Sequence, residues 1–407
     1  DIVFGDHGRL DYTPETVGGV DGPALGDFVP ATLDRVRTTF DDIGGADWVD
    51  GNSGNDIILG GYNPGGTGKE DKLYGYKGND IILGDNGLLD FSPNAANTDD
   101  PRDVDLYRIE TIAFGDGGDD IIQGHTGDDL IFGGDEDDTI DAGGGNNIVL
   151  GDDGSVDYVS RDGDPADIDE ILSTSTTYAG GIDNITSGAG QDIILGGRYG
   201  DTIYAGAGNN LVIGDSGRIT AANDDEPQFS GQPMTFGLIE TMTYGDGGVD
   251  TITTLSGYDI VLGGHLGDTI NVGEGNNLVL GDDGKIDYVR AERDGVVPGA
   301  DFNPADIDLI ESTSTDFAGG GDKIYSGAGQ DIVIGGRYGD TIAAGNGSNL
   351  VIGDSGRITA ANADAPQFAG QPMTFGFIET MAYGYGGVDT ITTLGGLDTS
   401  LADMKVM

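Results

Sequence analysis

The chain has 407 residues, with 72 acidic against 18 basic side chains, a formal net charge of -54 and no cysteine. Self-repulsion on that scale disfavours any compact state unless cations neutralise it, and it argues against nucleic acid or anionic membrane surfaces as partners, since both require Lys/Arg patches. Disulfides and thiolate sites are excluded, which suits an extracellular setting, and no apolar run approaches the roughly 18 residues of a membrane span.

The opening residues, Asp1-Ile2-Val3-Phe4-Gly5-Asp6, align with the middle of a repeat that returns as Asn147-Ile148-Val149-Leu150-Gly151-Asp152, so the native polypeptide is expected to extend further N-terminally. A Gly-Asp-x-Gly opener at Gly5, Gly84, Gly151, Gly214, Gly281 and Gly353 marks six units, 1–83, 84–150, 151–213, 214–280, 281–352 and a truncated 353–407. A longer duplication overlies them: Gly214-Asp215-Ser216-Gly217-Arg218 returns as Gly353-Asp354-Ser355-Gly356-Arg357, a shift of 139 residues.

Each unit has a less regular part followed by a ladder of nine-residue steps, clearest in the third unit as YAGGIDNIT, SGAGQDIIL, GGRYGDTIY, AGAGNNLVI. In unit one a Pro/Gly insertion near Asn63 to Gly68 lengthens one step, and the last ladder stops after Asp398, ahead of Met404-Lys405-Val406-Met407. Positions 1 to 4 of a step are Gly-rich, position 6 is Asp or Asn, and position 8 is aliphatic. This pattern matches G-G-x-G-x-D-x-U-x. On these residues the ladders, about half the chain, resemble the repeats-in-toxin (RTX) hemolysin-type calcium-binding family.

The resemblance implies an all-β fold: a calcium-bound parallel β-roll, or β-solenoid, of nonapeptide repeats with periodic β-rich insertions. Calcium takes six to eight oxygens from carboxylates and backbone carbonyls. Glycine lets a turn aim several carbonyls at one ion, and Asp at position 6 supplies charge. In a roll of two sheets successive steps lie on opposite sides, so a turn stacks on the turn eighteen residues later, and the resemblance implies an ion between such neighbours.

The neighbouring pairs are Asp47 with Asp71, Asp56 with Asp80, Asp120 with Asp138, Asp129 with Asn147, Asp183 with Asp201, and Asp192 with Asn210. They continue as Asp250 with Asp268, Asp259 with Asn277, Asp322 with Asp340, and Asp331 with Asn349, and unit six adds Asp389 and Asp398. Roughly ten or more calcium ions follow, with weaker binding expected where Asn replaces Asp. Two carboxylates about 4 Å apart repel by about 4 kcal/mol at an effective dielectric near 20, so the metal-free ladder is expected to be unfolded. A site with a dissociation constant of about 0.1 mM contributes about 1.4 kcal/mol in about 1 mM calcium. For the opener aspartates Asp85, Asp152, Asp215, Asp282 and Asp354, turn capping and metal ligation stand as equal readings.

With position 8 facing the core, positions 7 and 9 face outward. Steps two and four are apolar at all three positions, as in Ile193-Ile194-Leu195 and Leu211-Val212-Ile213, whereas steps one and three are mostly polar outside, as in Asn184-Ile185-Thr186. One sheet is therefore expected to be covered on both faces. The inserts, with strand-like Ile219-Thr220 and Met234 to Met242, are one candidate cover; self-association with a second chain through the apolar face is the other.

Catalysis finds little support. His7, His125 and His265 fall in Gly-rich turns without a partner at ligand or triad spacing, and every carboxylate pair belongs to a repeated position rather than a unique cleft. Arg198-Tyr199 and Arg337-Tyr338 read as arginines offsetting surrounding acid, with a local binding feature as the alternative, and Trp48 at an outward position 7 is expected to pack against an insert. The reading is a non-enzymatic, calcium-binding structural region of a secreted or cell-surface bacterial protein: adhesin stalk, matrix or surface-layer component, with a surface or matrix ligand that the sequence does not name. The resemblance implies type I secretion and folding on calcium outside the cell. The alternatives are an accessory module of a secreted lipase, protease or alginate epimerase, and a filament subunit assembling through the apolar sheet.

Overall fold

The computed structural model describes residues 1–12, 33–40, 42–66, 68–93, 104–161, 165–175, 180–224, 226–242, 247–295, 297–314, 319–362, 365–381, 386–396 and 398–401. Met404 to Met407 lie outside them.

Each nonapeptide puts positions 7 to 9, with an aliphatic residue at position 8, into a short strand, and the Gly-rich positions turn the chain through to the opposite side. Stacking in phase gives two parallel sheets among the described residues. One has twelve strands, from Ile2–Phe4 to Thr399–Leu401; the other has eleven, from Trp48–Asp50 to Thr390–Thr392. Equivalent positions pair: Ile193 with Leu211, Ile194 with Val212 and Leu195 with Ile213 within a ladder. The same register continues across an insert, where Ile148 pairs with Ile193 and Leu150 with Leu195. Only one short helix, Arg290–Asp294, interrupts the all-β architecture of the described residues.

The inserts build a third sheet, of twelve antiparallel strands, from Gly8–Asp11 to Phe375–Thr380. Gly154–Asp157 pairs with Glu170–Ser173 in its own unit and with Val104–Thr111 of the preceding one, so neighbouring inserts tile into a continuous layer. The second glycine of each opener makes the transfer between sheets feasible. A Cβ on Gly154 would lie closer than 3.0 Å to the Leu150 side chain, as one on Gly284 would to Leu280.

Two apolar cores result. Position 8 residues such as Ile58, Ile131, Ile194, Val261 and Val351 meet Val49, Ile122, Ile203 and Ile252 of the eleven-stranded sheet inside the roll. Positions 7 and 9 of the twelve-stranded parallel sheet, such as Leu59, Phe132, Leu195 and Leu280, pack instead against Val36, Ile109, Val156, Ile219, Ile239 and Ile310 of the insert sheet. The inserts are thus the cover. This corrects the expectation of self-association, or filament growth, through the apolar face: among the described residues, the side chains that a second chain would have to meet are already buried beneath the insert layer.

Trp48 also departs from expectation. Its step belongs to the uncovered sheet, so Trp48 is 66% exposed and its indole lies tilted against Tyr74 at 5.3 Å rather than packing beneath an insert.

Candidate metal centre

The two long edges of the roll each carry a row of position 6 side chains. On the first edge the order is Asp47, Asp71, Asp120, Asp138, Asp183, Asp201, Asp250, Asp268, Asp322, Asp340 and Asp389. The backbone N–H of each donates to Oδ1 of the next at 2.7 to 3.2 Å. On the second edge the order is Asp56, Asp80, Asp129, Asn147, Asp192, Asn210, Asp259, Asn277, Asp331, Asn349 and Asp398, joined in the same way at 2.8 to 3.1 Å. The position 6 residues of the ladders therefore stand in two continuous rows that run through the inserts, not only within each ladder. The peptide N–H between stacked carboxylates is the element that sequence reasoning missed: it exists only once the turns are stacked.

With Oδ1 committed, Oδ2 is what remains. On the first edge the Oδ2 atoms of Asp71, Asp120, Asp138, Asp183, Asp201, Asp250, Asp268, Asp322 and Asp340 are buried without a hydrogen bond. Beside each lies a glycine with no room for a side chain. A Cβ on Gly196 would come closer than 3.0 Å to both Asp201 Oδ2 and the Gly214 carbonyl oxygen, and one on Gly263 would meet Asp268 Oδ2 and the Gly281 carbonyl in the same way. Carboxylate and carbonyl oxygens thus converge on one small cradle per turn.

Burial, reinforced by neighbouring charge, makes these carboxylates costly to ionise without a counter-charge. Desolvation raises Asp71 to about 7 and Asp183 and Asp322 to about 8. Desolvation together with the Asp322 charge raises Asp340 to about 9. Among the described residues no three His, Cys, Asp or Glu side chains group as a metal cluster. An ion here would therefore rely on backbone carbonyls for much of its shell, which suits a hard oxygen-seeking cation such as Ca²⁺ and not a zinc-type site.

Four of the five opener aspartates, Asp85, Asp152, Asp215 and Asp282, resolve toward capping. Asp85 accepts N–H bonds from Gly118 at 3.1 Å and Asp135 at 2.7 Å, one on each oxygen. Asp152 does so from Gly181 and Arg198, Asp215 from Gly248 and His265, and Asp282 from Gly320 and Arg337. Arg198 and Arg337 are buried, whereas Tyr199 and Tyr338 beside them are exposed. His125 stacks on Tyr76 at 4.8 Å, in a partly exposed row with Tyr74 and Trp48.

The chain matches the family model of the RTX calcium-binding nonapeptide repeat (4 copies) over residues 44–62, 66–87, 114–154, 186–218, 244–265, 318–337 and 325–357. No curated protein matches it.

Proposed function

Starting from a chain whose ladders are RTX calcium-binding nonapeptide repeats, we propose that this region is a calcium-dependent structural roll of a secreted or cell-surface protein, in which the position 6 aspartates are ligands. The observation that carries the reading is the row of buried Oδ2 atoms on the first edge, each beside a glycine carbonyl and without a hydrogen bond. Calcium would be shared between adjacent turns, neutralising carboxylates that burial otherwise holds in their protonated form.

Folding then follows the calcium supply. At about 1 mM calcium, sites of about 0.1 mM affinity each contribute about 1.4 kcal/mol; at submicromolar calcium that contribution vanishes. Such a chain would stay unfolded inside a cell, pass through a secretion channel and fold outside, which is the sense in which we assign it to an extracellular location. The continuous sheets favour a spacer or stalk role: each unit adds the same layers in the same register, and the acidic positions recur instead of forming one cleft.

The test is far-UV circular dichroism during a calcium titration of the chain, reversed with EGTA. Coil-like spectra that convert to β-structure on calcium addition, and revert on chelation, are expected. Full β-structure in EGTA at neutral pH would reject the reading.

A further inference from the structure

The two edges of the roll are not equivalent. The residue that follows each strand into the first edge stays glycine, at Gly60, Gly133, Gly196, Gly263 and Gly335 and at the openers Gly84, Gly151, Gly214, Gly281 and Gly353. On the second edge it is glycine only at Gly51, Gly75 and Gly124, and then becomes Ala142, Ser187, Ala205, Thr254, Val272, Ser326 and Ala344. These replacements fill the space that the glycine cradle leaves open: Ala142, Ala205, Val272 and Ala344 are buried as members of the apolar core inside the roll.

The side chain at position 6 changes in step. Where position 1 is Ala142, Ala205, Val272 or Ala344, position 6 is Asn147, Asn210, Asn277 or Asn349. Each amide Oδ1 accepts an N–H from the preceding turn, at 3.0 to 3.1 Å, which fixes the amide's orientation. Its Nδ2 group must then face the turn carbonyls. Asn147 donates to Gly145 at 3.3 Å, Asn210 to Gly208 at 3.3 Å, Asn277 to Gly275 at 3.4 Å and to Ser326 at 3.2 Å, and Asn349 to Ala344 at 2.7 Å.

Where position 1 is a hydroxyl, position 6 is Asp, and the hydroxyl satisfies the second oxygen. Thr254 Oγ1 donates to Asp259 Oδ2 at 2.7 Å and Ser326 Oγ to Asp331 Oδ2 at 2.8 Å. At Asp192 the pattern is incomplete: Ser187 Oγ accepts from Asn147 Nδ2 at 3.3 Å, and Asp192 Oδ2 keeps no hydrogen bond.

We infer that the second edge, from Ala142 onward, is a calcium-free seam in which amide N–H and hydroxyl groups occupy the place that cations take on the first edge. The amide brings no negative charge and aims donors at the same class of carbonyl that a cation would draw, so the stacked turns close without metal. A Cβ at position 1 blocks the approach of an ion to the remaining carboxylate oxygen. Calcium thus binds along both edges as far as Asp129, and along the first edge alone beyond it.

The inference rests on the calcium reading above and changes its stoichiometry. Asp–Asp neighbours number ten on the first edge and two on the second, so about twelve ions are expected, against about twenty if every stacked pair bound one. Native mass spectrometry of the full chain in calcium acetate reads the count directly. Two paired variants, A205G/N210D and A344G/N349D, each reopen a cradle between Asp neighbours and should each raise the count by one or two. A wild-type count near twenty, or folded variants with an unchanged count, would overturn the seam. Binding of no calcium at all would instead remove the underlying functional reading and the seam with it.

Discussion

Gly133 and Asp138, five residues apart in one step, compete for the same space: a Cβ on Gly133 would lie closer than 3.0 Å to Asp138 Oδ2 and to the Gly151 carbonyl oxygen. The glycine is required by the oxygens, not by backbone strain, since its φ is not in the left-handed region.

Gly133→Ala should therefore weaken calcium binding by about tenfold and lower stability in calcium by about 1–3 kcal/mol, the usual cost of overpacking. Gly45→Ala is the control, because a Cβ there meets nothing within 4 Å. Calorimetric titration and thermal melts of both variants check the difference; equal behaviour would separate the glycine pattern from ion binding.

Asp138→Asn and Asp138→Ala distinguish charge from the hydrogen bond. Asn retains an acceptor for the Asp120 N–H, now bonded at 2.8 Å, whereas Ala removes it. Both should lose calcium affinity, and the Ala variant should be about 1 kcal/mol less stable than the Asn variant in urea melts. The reverse order would mean that the peptide bond between turns contributes nothing.

In calcium-free buffer the pH dependence should run opposite to that of an ion-paired protein. Asp71 and Asp129 are raised by burial from 3.8 to about 7, Asp192, Asp259 and Asp331 to about 6, and Asp183 to about 8. A raised folded value means that the folded chain holds protons the unfolded chain has released. That stability is fully present below the unfolded value near 4 and is lost as pH rises through 6 to 8. EGTA-treated protein should gain β-structure on acidification from pH 8 toward pH 4, read by circular dichroism. Loss of structure on acidification would contradict this.

Ile239 is fully buried between the insert sheet and the parallel sheet. Ile239→Ala should cost about 2–5 kcal/mol. Ile239→Asp should lift the cover locally and expose the apolar sheet, producing concentration-dependent association in calcium by light scattering. A monomeric, equally stable Ile239→Asp chain would mean that the insert layer is not a structural cover.

Much of this was readable from the sequence because it is periodic. Position 6 recurs in phase, so Asp120, Asp138 and their equivalents are visible as one chemical row, and the apolar triplets Ile193-Ile194-Leu195 and Leu211-Val212-Ile213 mark the sheet that needs a cover. What escaped notice depends on contacts distant in sequence. Val156 finds its place between Ile109 of the preceding insert and Ile171 of its own, a pairing that no local pattern encodes. The opener aspartates could be either caps or ligands until both oxygens of Asp85 met backbone N–H groups. Trp48 was misplaced because an outward position means cover on one sheet and solvent on the other. Ala142, Ser187 and Ala205 look like tolerated small residues in a Gly-rich turn; only their burial beside Asn147, Asp192 and Asn210 gives them meaning.

The most direct measurement is anomalous diffraction from crystals grown in calcium and from crystals exchanged with a lanthanide. Peaks about 2.3–2.6 Å from the Oδ2 atoms of Asp120, Asp138, Asp183 and Asp201, one per stacked pair along the first edge, are the predicted result. Well-ordered turns with no peak beside those oxygens would contradict it.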